Sequence, residues 1–333
     1  MPSINTNKLS SPSSIQNGEY KKTRRCFFNQ SKLLEAQVTE LFDDLWPTVT
    51  AIKNLSWQVT GYYHYNNIKT NTELTRKFVE PEDITNRPNL YRMCIDQTWD
   101  NWEFRLAKNL LTNLFALYEG WLECLVPKLF GAVSYTSTIK ELQFPTSYNH
   151  ALSIIQNSGN TTISNSFYDL YKNKNKQYNC THLCNYFSVY RYFKECRNNI
   201  IHNGGFADQK LVDAYNNILS LTHTDLDVSE IPRIEPITSV GQVVKLYLRG
   251  VVGFSQIVLK IVYTLDVEFI KCENNEAIFV SAMKEFNKGK ITPSSIQHRK
   301  ELQLSKIIRN ANFLAPQYSD ALFSLLKTNG FFN

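Results

Sequence analysis

Hydrophobic residues recur at three- and four-residue spacing along most of the chain, the pattern of helices that bury one face. From Ser31 this spacing predicts a first helix, which we expect to end at Pro47 because proline lacks the backbone N–H donor. The next residues, 48–98, have a mixed pattern that is rich in aromatic and Asn residues. Within them residues 61–65 predict a strand or an irregular loop.

A longer apolar pattern begins near Asp100. Glu103 lies three positions on, as in a capping box, and we expect this helix to end at Pro127. Residues 131–180 are interrupted by Pro145 and by the polar turn 157–160, which predicts short helices and loops.

Four further helices follow from periodicity and capping residues. They are predicted at about 182–202, ended by Asn203-Gly204-Gly205; at 211–221; at 239–272, opened by the capping pair Ser239 and Gln242; and from Thr292-Pro293 onward. The predicted fold class is therefore all-α, a helical bundle with irregular insertions and a helical C-terminal extension. We expect a mobile basic lead-in over residues 1–30, a helical domain over 31–272 with its core at about 100–272, and a basic extension over 273–333.

Composition narrows the class of protein. Of 333 residues 43 % are hydrophobic and 20 % are charged, as in globular domains. Seven unclustered cysteines argue against a secreted disulfide framework, and the first twenty residues lack the apolar core of a signal peptide. The apolar run 251–265 is shorter than the roughly 20 residues that cross a bilayer. The sequence therefore predicts a cytoplasmic protein with no membrane attachment.

The formal net charge of +6 is unevenly distributed. Residues 1–30 carry a net charge of +4 and residues 284–310 one of +5, so the rest of the chain sums to −3. These two segments could attract a polyanion such as RNA, or they could be a solvated tail and a solvated helix face. The candidate RNA contacts in the second segment are Arg299, Lys300, Lys306 and Arg309.

Several common functional sites have no support in the sequence. No phosphate-binding GxxxxGK[ST] or GxGxxG motif occurs. Cys180, His182 and Cys184 lie close together, but no second pair follows at zinc-site spacing, so we expect the two cysteines to be small core residues. Asp225 and Asp227 belong to an acidic turn without the ligand order of a calcium loop. The sequence predicts neither a metal nor a cofactor.

The helix predicted at 182–202 carries the residues with the strongest chemical interest. Its apolar stripe places Arg197 beside or within the buried face, where a guanidinium must be paired or must line a cleft. Asn198 lies one turn before His202, within expected hydrogen-bonding range of the imidazole. His202 is in the last turn, where the helix dipole favours the imidazolium form of a proton donor.

This Arg-x4-His pattern, with Asn directly after the Arg in an apolar helix, resembles the HEPN domain. The resemblance covers about residues 100–272. Members of that family are all-α bundles, and many are metal-independent ribonucleases of toxin, abortive-infection and anti-phage defence systems. The resemblance implies catalytic roles for Arg197, Asn198 and His202, and a homodimer in which two such helices form one composite site. It also implies a possible antitoxin or other regulatory partner.

The function implied is an endoribonuclease. The RNA 2′-OH would attack the adjacent phosphate, with His202 as general acid or base, Arg197 on the phosphate oxygens and Asn198 as orienting residue. Tyr192, by stacking on a base, and Lys194, by contacting a phosphate, are further candidate RNA contacts. Two alternatives stay open: a non-catalytic module that binds a nucleotide, RNA or a partner protein, and an inert adaptor that acts through its basic C-terminal helix.

Overall fold

The computed structural model describes residues 25–67, 70–79, 88–143, 160–287 and 289–333. These residues form α-helices and contain no β-strand, only two isolated bridges, which confirms the predicted all-α class. The helices are α1 (Asn29–Asn66), α2 (Asn71–Phe78), α3 (Trp99–Gln143), α4 (Thr162–Lys174), α5 (Leu183–His202), α6 (Gln209–Asn216), α7 (Leu248–Glu268), α8 (Asn275–Phe286), α9 (Gln297–Asn310) and α10 (Asp320–Thr328). A π-helical turn, Arg92–Asp96, precedes α3, and a 3₁₀ turn, Phe269–Lys271, extends α7.

The four longest helices, α1, α3, α5 and α7, form a bundle. Two contacts show that α1 runs antiparallel to α3. Trp121 donates a 3.0 Å hydrogen bond to Ser31 near the start of α1. Lys53, later in α1, lies over the ring of Trp99 at the start of α3. The bundle therefore brings the start of each of these two helices close to a later part of the other.

α5 and α7 are also antiparallel and lie side by side. Phe193 stacks on Phe254 with ring centroids 4.4 Å apart, and Lys260, later in α7, lies over Tyr186, early in α5. The C-terminal end of α5, where the Arg-x4-His residues lie, is therefore next to the start of α7.

Two predicted helix ends at proline are wrong. Pro47 lies inside α1, which continues through residues 61–65 to Asn66, and Pro127 lies inside α3, which continues to Gln143. Pro47 is on the exposed face of α1, where water can hydrate the carbonyl that loses its helical partner. Leu45 and Val49 on the opposite side are buried, and their burial offsets the cost of the proline, about 3 kcal/mol in a helix interior.

Both predicted capping pairs have other roles. Glu103 does not cap its own helix: its carboxylate accepts a 3.1 Å hydrogen bond from the backbone N–H of Leu248 and so caps the start of α7. Gln242 accepts from the backbone N–H of Thr238 and donates to the carbonyl of Pro236. The chain stays irregular after Gln242, and α7 begins at Leu248 instead of Ser239.

Other helix bounds shift by a few residues. The helix predicted at 211–221 is α6, Gln209–Asn216, and the basic helix begins at Gln297 instead of Thr292-Pro293. The stretch Leu248–Lys271 has 24 residues and by length and composition alone could cross a membrane, but 78 % of its most apolar window is buried inside the bundle.

Residues near both ends of the described chain belong to the main core. Cys26, Phe27 and Phe28 are buried, so the lead-in predicted over residues 1–30 becomes part of the core from Cys26; residues 1–24 lie outside the described residues. Ile308 in α9 and Phe332 near the C-terminus are buried in the same cluster. Helices α8, α9 and α10 lie within the segment 273–333, and residues of this segment share the core with the bundle.

Candidate functional site

Helix α5 positions the Arg-x4-His residues through its buried stripe. Tyr186, Val189, Phe193 and Cys196 face the core, as the sequence pattern predicts. Burial raises the pKa of the Cys196 thiol to about 12, so this cysteine stays protonated and unreactive. Beyond this stripe Arg197 and Asn198 are half-buried, and His202 is exposed in the last turn.

The turn after His202 confirms the predicted helix end. Gly204 and Gly205 have φ values of 64° and 86°, a left-handed conformation that glycine adopts without a steric penalty. The amides of Asn203 and Gly205 both donate to the carbonyl of Asn199. The backbone therefore turns sharply away from α5 and leaves the His202 side chain at the surface.

Asn199 is the structural residue of this site that the motif did not single out. Its side chain is fully buried, and its amide nitrogen donates to the carbonyl of Glu195 at 2.9 Å and to the carboxylate of Asp208 at 3.1 Å. Its oxygen accepts from the Asn203 side chain at 2.9 Å and from the Asp208 backbone N–H at 3.0 Å. The one available signal was a polar residue directly beside the buried face of an apolar helix.

Arg197 has no carboxylate partner in the described part of the chain. One of its terminal nitrogens donates to the side-chain oxygen of Asn198 at 3.3 Å, and its Nε is buried without a hydrogen-bond partner. Neighbouring cations on α5 differ in this respect, because Arg191 pairs with Glu195 at 2.5 Å and Lys194 pairs with Glu119 at 2.6 Å. A guanidinium in this state is free to bind an anion.

The predicted hydrogen bond between Asn198 and His202 is absent. The Asn198 amide nitrogen instead donates to Glu195, one turn earlier in α5, at 3.4 Å, and its oxygen accepts from Arg197. Arg197 and His202 are five residues apart, which on a helix separates their directions by about 140°. Within one chain the two side chains are therefore not brought together, and no described contact joins them.

The structure places two of the predicted RNA contacts, Tyr192 and Lys194, inside the bundle. Tyr192 is 1 % exposed, and its hydroxyl donates to the carbonyl of Glu235 at 3.1 Å, so its ring cannot stack on a base. Lys194 is 2 % exposed and bonded to Glu119, and desolvation lowers its pKa. Both residues stabilise the packing of α5 and do not face solvent.

The predicted contacts in α9 are at the surface. Arg299, Lys306 and Arg309 are exposed and, at spacings of seven and three residues, share one side of the helix. Lys300 lies on another side, where its ammonium sits 3.9 Å from the ring centroid of Phe323. The first three residues therefore remain candidate contacts to a polyanion, and Lys300 also has a packing role.

Exposed apolar residues surround the end of α5. Phe206 and Val243 form an isolated antiparallel bridge, and both are more than half exposed. Ile201, directly before His202, and Val240 are also exposed. We call these four residues the apolar rim. Exposed apolar side chains such as the paired Phe206 and Val243 are typical of a protein–protein contact.

No group of three or more His, Cys, Asp or Glu side chains is placed to hold a metal ion within the described ranges. In particular, His182 is engaged elsewhere, since its Nδ1 lies 2.6 Å from the backbone oxygen of Asp225. Comparisons of the chain with protein-family models, with curated proteins and with solved structures found no match.

Proposed function

We propose that this protein is a metal-independent endoribonuclease whose reaction centres on Arg197 and His202. The observation that carries the proposal is the half-buried Arg197 guanidinium, which has no carboxylate partner in the described residues and a buried Nε without a partner. A partly desolvated cation in this state favours binding of a phosphate group. The exposed His202 near the same helix end supplies a proton donor or acceptor.

The proposed reaction is an attack of the RNA 2′-OH on the adjacent phosphorus. The bond from phosphorus to the 5′ oxygen breaks, which leaves a 2′,3′-cyclic phosphate and a free 5′-OH. His202 takes the proton from the 2′-OH or gives one to the leaving oxygen. Arg197 stabilises the charge that develops on the phosphate oxygens, and Asn198, held by Glu195, orients the guanidinium.

A second copy of the chain completes this site. The reaction needs both a proton acceptor and a proton donor, while one chain supplies a single His202. Arg197 and His202 of one chain also diverge by about 140° around α5, so each pairs more easily with its counterpart across a dimer. The apolar rim beside His202 supports such a contact, since Phe206 is 53 % exposed and Val243 is 55 % exposed.

The test is cleavage of labelled single-stranded RNA by the purified full chain in EDTA. We expect 2′,3′-cyclic phosphate ends and a particle of twice the monomer mass by light scattering. His202→Ala should lower the rate about 10²–10⁴-fold and Arg197→Ala about 10²–10³-fold. The matched controls are His223→Ala and Arg76→Ala, which remove an exposed residue of the same type elsewhere and should cleave normally.

Three outcomes would contradict the proposal: no cleavage, cleavage that EDTA abolishes, or cleavage that both site variants retain. Loss of RNA binding in Arg197→Ala with no turnover by the wild type would instead support the non-catalytic module. In cells, a toxin or anti-phage effector of this kind should arrest growth on expression, and His202→Ala should relieve the arrest.

A further inference from the structure

A cleft of about 450 Å³ lies between α7 and the acidic turn that contains Asp227. Three cationic side chains line it, Arg25, Lys176 and Lys260, against the single carboxylate of Asp227. The lining therefore carries a net positive charge in a protein whose central region is net negative. We call it the Lys260 cleft.

Lys260 lines this cleft with a largely buried side chain. Its side chain is 8 % exposed, and its ammonium donates to the Asp227 carboxylate at 2.8 Å. An ammonium has three donors, and in the described structure the other two have no partner. The ring of Tyr186 lies 5.9 Å from this ammonium and adds a cation–π contact. An anion bound in the cleft would accept hydrogen bonds from the two remaining donors of a cation that is largely shielded from water.

The acidic turn is built to place only one carboxylate here. Asp225 is used inside the turn, where it accepts from the backbone N–H and the hydroxyl of Thr222 at 2.8 and 2.6 Å. Asp227 reaches Lys260 from a left-handed backbone with φ of 47°, a conformation that Asp adopts more readily than most residues other than glycine.

The positive charges of the other two cations in the Lys260 cleft are only weakly compensated by carboxylates. Lys176 is exposed and has no carboxylate partner among the described residues. Arg25 approaches Glu35 at 3.8 Å, a long ion pair, with 57 % of its side chain exposed. Gln177 and Gln256 add amide groups to the lining. These groups offer more donors than a single anionic oxygen can use.

We propose that the Lys260 cleft binds adjacent phosphate groups, either the polyphosphate of a free nucleotide or consecutive phosphates of a nucleic-acid backbone. Its volume is within the range of small-molecule pockets, and its cations and amides match the oxygens of a diphosphate. The cleft lies at the Tyr186 end of α5, about 16 Å along the helix from Arg197, so it is a separate site. The proposal does not depend on ribonuclease activity.

The experiment is calorimetric titration of the full chain with inorganic pyrophosphate in EDTA, followed by competition. We expect salt-sensitive binding of pyrophosphate that Lys176→Ala weakens about fivefold and Lys260→Met more than about tenfold. Competition by ATP assigns the phosphates to a free nucleotide. Competition by an oligodeoxythymidylate with hydroxyl ends assigns them to a backbone, and the absence of a 2′-OH prevents cleavage of this probe.

Lys210→Ala is the matched control, because it removes an exposed lysine on α6 outside the cleft and should bind pyrophosphate as the wild type does. Thermal unfolding checks each variant, and if Lys260→Met does not fold, the exposed Lys176→Ala decides the question alone. No binding of pyrophosphate or the oligonucleotide, or binding that these variants do not weaken, would overturn the proposal.

Discussion

Asn199 and Arg197 are two positions apart on α5, and their polar groups are satisfied to opposite degrees. Asn199 uses all four of its hydrogen-bonding positions inside the protein. Arg197 has one bond to its neighbour Asn198 and a buried Nε with none. The first residue is therefore structural and fixes the turn after His202, whereas the second keeps its binding capacity for a ligand.

This difference predicts a stability effect that is separate from activity. Asn199→Ala should lower the free energy of unfolding by about 2–4 kcal/mol, because it leaves the backbone N–H and carboxylate of Asp208 short of partners. Urea unfolding followed by circular dichroism measures the loss. The control is Asn203→Ala, which removes one bond at an exposed side chain and should cost less than about 1 kcal/mol. Equal losses in the two variants would contradict this role of Asn199.

At the scale of elements, two glycines let the segment before α7 lie directly against this helix. A Cβ atom at Gly250 would overlap the backbone oxygen of Arg233, and one at Gly253 would approach Pro232 to 3.0 Å. Two hydrogen bonds to Glu235 also hold the segment before α7 in place. The hydroxyl of Tyr247 donates to the Glu235 carboxylate at 2.6 Å, and Tyr192 donates to the Glu235 carbonyl.

Gly250→Ala is therefore expected to destabilise the protein although alanine is the better helix former. The overlap with backbone should cost about 1–3 kcal/mol net of a helix-propensity gain of about 1 kcal/mol. Gly120→Ala on α3 is the matched control: nothing lies within 4 Å of its Cβ position, so the variant should be stabilised slightly. Thermal unfolding of both variants measures whether each substitution raises or lowers the stability. A stabilised Gly250→Ala would contradict the packing argument.

At the scale of the whole molecule, Asp266 fastens the N-terminal segment to α7. Its fully buried carboxylate accepts hydrogen bonds from the amides of Phe27 at 2.6 Å and Phe28 at 3.1 Å. Burial nevertheless raises the pKa of Asp266 to about 6, because desolvation of the charge outweighs these bonds and the bond from Ser31. The contact therefore depends on pH.

The sign of this dependence follows from proton binding. Between about pH 4 and pH 6 folded Asp266 holds a proton that the unfolded chain has released, so its contribution to stability falls as pH rises. The stability of the wild type relative to Asp266→Asn should decrease by about 2–3 kcal/mol between about pH 4 and pH 7. Urea unfolding at both pH values measures it. The exposed Asp169→Asn serves as control, and a difference between wild type and Asp266→Asn that pH does not change would contradict the assignment.

Local sequence determined that the chain folds into helices, that the face of α5 with Phe193 and Cys196 is buried, and that the helix ends before Gly204, since periodicity and glycine conformation act over a few residues. Tertiary structure alone decided that α1 passes through Pro47, that Glu103 caps α7, and that Tyr192 is internal. These outcomes depend on groups far apart in sequence, whose burial and pairing outweigh local preferences. For the same reason the motif located Arg197, but only packing showed that it has no carboxylate partner in the described residues.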